Sequence, residues 1–415
     1  MPPTQRIEGG PPAGPEEVNA RFDEEHLRLP TDLIAAPAAL PHRHPLASPP
    51  PGAIRPEPPA AANLSQWQLI WRRFSRHWLA LSSFYLLIVL YGVAANAEFF
   101  APYGSATKNV EKICCPPQTP RWSPAQGWHA PGMRREIDPV TLRNSFVESG
   151  ATVPLGFFVR GQAYRLFGLI PTDRHFFGPR DGGQEFFLLG ADRFGRDVFS
   201  RLVYGARISL SIGIVSIIVT FVLGAAIGGV SGYVGGAMDN FIQRVIEVIS
   251  SFPQLPLWLA LGAVLPKDWS ALNTYFAITV VLSLLGWTGL ARVVRGKILS
   301  LREEDYAVAA RLLGASHGRI IARHLLPGFT SHIIVSLSLS VPGMILGETA
   351  LSFLGLGLRP PVVSWGVMLQ DALNLDAIAN YPWLLLPVVF ITLTVLAFNF
   401  FGDGMRDAAD PYASR

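Results

Sequence analysis

Six long apolar stretches organise the chain, at about 78–98, 208–231, 243–265, 274–291, 328–350 and 382–402. A bilayer core is about 30 Å thick, and a helix needs roughly 20 mostly apolar residues to cross it. Each stretch therefore predicts a transmembrane helix. Ahead of the first, Trp67 to His77 predicts a short amphipathic lead-in, with Trp67, Ile70, Trp71 and Phe74 on one side and basic residues among them, a pattern suited to a membrane interface. Between Phe99 and Phe187 the pattern changes. Phe157 to Ile170 alternates in strand fashion around Arg160-Gly161, which predicts a hairpin turn there. Residues 1–63 are rich in Pro and Ala, with three prolines at 49–51, and lack apolar periodicity, so they predict a disordered tail. The fold class that follows is an all-α polytopic membrane protein carrying a small insert with some β structure.

Composition agrees. Half of the 415 residues are hydrophobic and 15% are charged, too apolar for an ordinary soluble protein. A net charge of +4, spread locally, gives no support to a nucleic-acid partner. Arg72, Arg73 and Arg76 precede the first span, and the loop from Arg292 to Arg323 also holds Arg295, Lys297, Arg302, Arg311 and Arg319. The loops at 266–273 and 351–381 hold only Lys267 and Arg359. Positive charge collects on the cytoplasmic side, which predicts six spans with both chain ends inside. Arg193, Arg196, Arg201 and Arg207 then fall outside, in a long loop of the kind that translocates regardless of charge. Asn63-Leu64-Ser65 matches a glycosylation sequon on the predicted cytoplasmic side and is read as chance. The first apolar run follows a long polar tail, so no secretory signal peptide is expected.

The most charged segment of the second half is Ala291 to Pro327, between two apolar runs. Acidic Glu303, Glu304 and Asp305 precede an apolar stripe of Tyr306, Ala309, Ala310 and Leu313 at helical spacing. Gly314 reads as a stop, Ser316 as the cap of a second helix and Pro327 as the first position of a third. A helix of about eight residues does not hold itself in water. Something must cover the stripe, and a partner protein is the expected cover.

Ala309, Ala310, Gly314 and Pro327 stand at the spacing of the "EAA" loop of ABC importer permeases, which this chain resembles. Leu188 to Leu210 (LLGADRFGRDVFSRLVYGARISL) and Gly347 to Leu369 (GETALSFLGLGLRPPVVSWGVML) resemble the C-type permease subunit of dipeptide, oligopeptide and nickel importers. The family often has Glu where this chain has Val308. The resemblance implies the six-helix type I permease fold in a bacterial-type inner membrane. It divides the chain into a tail (1–63), an interfacial helix and first span (64–98), an extracytoplasmic insert (99–187) and the permease domain proper (188–410). It also implies that the loop 292–327 couples to ATPase subunits through Tyr306, Ala309, Ala310, Leu313, Gly314 and Pro327. The implied partners are a second permease forming a heterodimer, two ABC ATPase subunits, a solute-binding protein and membrane lipid. The implied cargo is peptide, with nickel, other small solutes or glycans as variants.

Candidate path residues come from polar groups inside spans. Pro253 and Pro256 remove backbone donors at membrane depth, and the freed carbonyls need partners or water. Ser250, Ser251 and Gln254 could supply those partners or line a wet path. Ser336 and Ser340 share a face of the fifth span, and Glu348 near its end is costly unless paired or wet. Gly224, Gly228 and Gly232, four apart, predict close helix packing. Asp192, Arg196, Asp197 and Arg201 suit helical ion pairs, read as an amphipathic helix on the outer surface or as a contact for a partner. Adjacent Cys114 and Cys115 bridge each other only with strain, leaving an interchain bridge as the testable redox role.

The chain has no GxxxxGK[ST] phosphate loop, so no ATP hydrolysis of its own is expected. Gly314 to Gly318 matches GxSxG, but between two helices rather than after a strand. No HExxH or Cys/His cluster is present, so neither metal nor cofactor is expected. The rival reading, a secondary transporter independent of ATPase subunits, predicts internal repeats and buried ionisable groups in mid-span. Neither is clear in the sequence.

Overall fold

The computed structural model describes residues 65–137, 144–180, 185–373 and 375–409; the 1–63 tail and the start of the sequon lie outside them. Helix α1 (Gln66–Phe74) opens on a capping box, with Gln68 N donating to Ser65 Oγ at 3.3 Å and Ser65 N to Gln68 Oε1 at 2.9 Å. Its predicted apolar side divides. Ile70 and Phe74 pack on Ala80 and Ala408, whereas Trp67 and Trp71 stay exposed.

Among the described residues, five helical stretches are long and apolar enough to cross a membrane: Trp78–Ala95, Val198–Val234, Ala271–Leu301, His317–Phe353 and Pro382–Ala409. We label their main helices α2 (Trp78–Ala95), α3 (Val198–Val234), α6 (Ala271–Leu301), α8 (Thr330–Phe353) and α9 (Leu386–Ala409). The remaining predicted span, 243–265, is not one straight helix. It is α4 (Gly236–Ser251) and α5 (Gln254–Val264), bent 87° at the break. Pro253 caps α5 and cannot donate to the turn before it, so the ladder stops at Phe252.

The α3–α6 seam uses the predicted glycines. A Cβ at Gly224 would stand 2.8 Å from Leu290 Cβ, and one at Gly232 would stand 2.8 Å from Arg295 O. At Gly228 it would collide with the Ala291 backbone. These three positions let the helix backbones approach directly. Asp239 at the start of α4 takes two 2.6 Å hydrogen bonds from Arg295 of α6, which fixes that end of the seam.

The insert holds a four-stranded antiparallel meander, β1 (Arg121–Ser123), β2 (Gly127–Ile137), β3 (Asn144–Leu166) and β4 (Ile170–Pro179). The hairpin expected at Arg160-Gly161 is displaced. Both residues lie inside β3, and the chain turns at Phe167-Gly168-Leu169, where Gly168 has φ +74°. Gly161 serves a close approach instead, since a Cβ there would meet the His175 ring at 2.5 Å. Ala130, Val153, Leu155 and Phe186 form the sheet's small core. Cys114 and Cys115 are both buried and free, so a bridge from either would need the insert to open first. Burial pushes each thiol up to about 11.

The expected amphipathic helix over Asp192–Arg201 is also corrected. Helix α3 begins only at Val198, and the residues before it form a tight turn around Asp192. Asp192 Oδ1 accepts from Phe194 N at 2.8 Å and Arg196 N at 3.0 Å. Its Oδ2 pairs with Arg196 Nε at 2.7 Å and Arg201 Nε at 3.4 Å. Asp371 takes Arg193 at 2.7 Å, and Arg207 forks onto Glu98 while also donating to Ala94 O. Asp197 caps α3 through Ser200 N, and burial pushes its carboxyl up to about 7. Arg196 and Arg201 are tied inward by Asp192, whereas Arg193 reaches Asp371 from an exposed position.

Candidate functional site

Two sites emerge, one on a short helix and one at a bend. The first is helix α7 (Asp305–Leu312), eight residues long. It stops as the sequence predicts, in a Schellman motif: Ala315 N donates to Ala310 O at 3.1 Å and Gly314 N to Arg311 O at 3.0 Å. Gly314 has φ +81°, a conformation glycine adopts without a Cβ penalty. Ser316 then opens the next helical run, although its side chain makes no cap hydrogen bond. Pro327 falls in the first turn of a short 3₁₀ helix, one residue from the expected start, and does not open a separate α-helix. The run continues through a π-helical segment (Ile320–Leu325) and a 3₁₀ turn (Leu326–Phe329) into α8. Pro327 falls in that turn because it cannot donate to an α-helical ladder. Thr330 Oγ1 donates to the Leu326 and Pro327 carbonyls, at 3.2 and 3.1 Å.

The two faces of α7 have different fates. Ala307 and Ala310, 2% and 9% exposed, pack on the chain's own cluster of Val294, Ile298, Ile320, Ile321 and Leu325. On the other face, Tyr306 is 44% exposed, Ala309 is exposed, and Leu312 and Leu313 are 81% and 88% exposed. Of the six residues expected at this site, Tyr306, Ala309, Leu313 and Gly314 therefore share the open face. Ala310 does not: it belongs to the inward seam. Pro327 stands apart, lining an apolar groove with Phe221, Leu326 and Ile333. Leu312 was missed, because i, i+3, i+4 spacing from Tyr306 runs past it. Val308 is half-buried beside the seam.

The second site is a cavity of about 390 Å³ where the α4–α5 bend meets α6 and α8. Ser250, Gln254, Thr288, Arg292, Ser340 and Gly343 are among its lining residues. Three of the six expected path residues thus converge. The other three do not. Ser251 Oγ donates to Val248 O at 2.7 Å, repairing its own helix. Ser336 offers its carbonyl to Ser340 Oγ at 2.8 Å and lies off the lining. Glu348 is 0% exposed and acts as an internal bracket. Its carboxyl accepts from Ser352 Oγ at 2.8 Å and Ser209 Oγ at 3.1 Å, joining α8 to α3. Ser209 Oγ in turn accepts from Trp365 N at 3.1 Å. A carboxyl so enclosed has no route to a passing solute, so Glu348 is removed from the path.

An apolar multi-span bundle carrying one short helix with an open apolar face marks a membrane component. Residues 210–415 match the family described as "Binding-protein-dependent transport system inner membrane component", and residues 65–117 match "N-terminal TM domain of oligopeptide transport permease C". The chain is similar to the dipeptide transport system permease protein DppC of Bacillus subtilis, at 32% identity over 85% of this chain and 88% of that protein. It is 31% identical to the DppC of Lactococcus lactis subsp. cremoris over 88% of this chain and 95% of that one. To the oligopeptide transport system permease protein OppC of Bacillus subtilis it is 39% identical over 54% of this chain and 70% of that one. The chain belongs to the peptide-type permease family of binding-protein-dependent ABC importers, and is a permease subunit of such an importer.

Proposed function

We propose that this chain is one half of a two-permease pore in the inner membrane, carrying peptides delivered by a solute-binding protein and driven by two separate ATPase subunits. One observation carries the reading. Helix α7 spends its alanine face on its own chain and leaves Tyr306, Ala309, Leu312 and Leu313 uncovered. A cytoplasmic ATPase cleft is the cover we assign to them. When nucleotide closes the ATPases, the docked helix moves with them. The run from His317 to Phe353 transmits that motion into the bundle, a two-state coupling through a packed element.

In this reading the α4–α5 pair counts as a sixth span and both chain ends face the cytoplasm, in line with the arginines flanking α2 and α6. The sheet-bearing insert then faces outward. The cavity at the α4–α5 bend is one wall of the solute path, completed by the second permease. Peptide is the assigned cargo because the relatives are dipeptide and oligopeptide permeases. Reconstitution with the companion subunits tests the proposal. Peptide uptake into proteoliposomes is expected to require ATP, both ATPase subunits and the second permease. Sustained ATP-independent flux through this chain alone would establish the secondary-transporter reading instead.

A further inference from the structure

The cationic lining residue of the α4–α5–α6–α8 cavity is Arg292, and the arginines around it are already engaged. Arg295, one turn on, forks onto Asp239 with two 2.6 Å bonds. Arg244 pairs with Glu247 at 2.7 Å, and Arg302 pairs with Glu303 at 3.0 Å and donates to Gly232 O. Arg292 makes one hydrogen bond, from Nη2 to Ser250 Oγ at 3.1 Å, and among the described residues no carboxylate comes within ion-pair distance. Among the described residues, no acidic side chain lines the cavity. A guanidinium has five donors in a planar fork that matches a carboxylate, so most of that capacity is unspent here.

The wall beside Arg292 is kept bare. Gly289 and Gly343 both line the cavity, and a Cβ at either would meet nothing within 4 Å. Backbone and small polar groups there leave width for a solute, while Ile249, Phe252 and Leu285 supply apolar surface. The cavity therefore pairs one unneutralised fork with a mostly neutral, partly apolar chamber. Arg292 is itself exposed, just past the predicted span 274–291, so its fork stays open to water and to a carboxylate entering the cavity.

We propose that Arg292, held by Ser250, receives the carboxylate of the solute as it crosses this cavity, so that the path favours cargo with a free carboxylate. The inference rests on the cavity being the solute path. Lipid phosphate offers the same chemistry, and the test separates the two. The complete importer is reconstituted in vesicles with and without anionic lipid. It is given a tripeptide with a free C-terminus or its C-terminal amide, each at a concentration that saturates the binding protein. Arg292→Gln is expected to slow uptake of the free acid roughly tenfold and to change uptake of the amide less than about twofold, as befits one lost charge-assisted contact. Arg292→Lys is expected to fall between. Equal losses for both cargoes, no loss for either, or a loss that follows lipid charge instead of cargo would overturn the assignment. Gly343→Leu, whose side chain would project into the cavity, serves as the control. If the assembled importer carrying it transports both cargoes normally, the path reading itself fails. If it blocks both while Arg292→Gln does not discriminate, only the role of Arg292 falls.

Discussion

Changing Leu312 and Leu313 together to aspartate is expected to release the ATPase subunits and abolish uptake while the chain still inserts and folds. Both side chains point away from their own protein, at 81% and 88% exposure, so their loss opens no cavity in the chain. Covering a leucine is worth about 1.5–3 kcal/mol, so the pair contributes about 3–6 kcal/mol to docking. That corresponds to roughly a 10²- to 10⁴-fold loss of affinity before the added charges are counted. Co-purification of the ATPases with the tagged permease reads the effect directly. Full co-purification and normal uptake would mean that the open face of α7 is not where force enters.

The second large effect is expected at Asp192→Ala, far from either functional site in role. Asp192 is buried and holds Arg196 and Arg201 by ion pairs while capping two backbone amides of its own turn. Arg201 is 3% exposed and has no ready exit to water. Removing one partner of a buried charge set typically costs about 3–5 kcal/mol, because the remaining charge stays desolvated. The exposed pair Arg121–Glu148 is the internal comparison, where truncation is expected to change stability by less than about 1 kcal/mol. Thermal unfolding of the detergent-solubilised chain should therefore separate the two variants by many degrees. Similar midpoints would show that the Asp192 knot is not what secures the start of α3.

Five of the six expected spans were legible because an apolar run of bilayer length has few uses outside a membrane, whereas 243–265 is broken at Phe252-Pro253. The end of α7 was legible for a comparable reason: Gly314 admits the left-handed turn that other residues resist. What could not be read was which side of a short helix its own chain would cover. Tyr306, Ala309, Ala310 and Leu313 form one stripe on paper. The fold draws its boundary through that stripe, taking Ala310 inward and leaving Leu312 out with Leu313. The 192–201 stretch failed differently. Acid and arginine four apart fit a helix, yet a carboxylate that accepts Phe194 N and Arg196 N stabilises a turn instead. Gly190 and Gly195, both at positive φ, were the available sign. In the sheet, two glycines competed for one turn, and only the backbone distinguishes Gly161, which admits His175, from Gly168, which reverses the chain. The path residues divided by local bonding. Ser250 and Ser251 are neighbours in sequence, but one holds Arg292 at the cavity and the other caps its own helix.

A photoreactive amino acid at position 313, activated in intact cells, asks outright whether the open face of α7 sits against an ATPase subunit. Cross-links to an ATPase subunit are expected, sparse without nucleotide-competent ATPase and lost when that subunit is absent. Cross-links confined to lipid, or modification of position 313 by a membrane-impermeant reagent added outside, would contradict that contact.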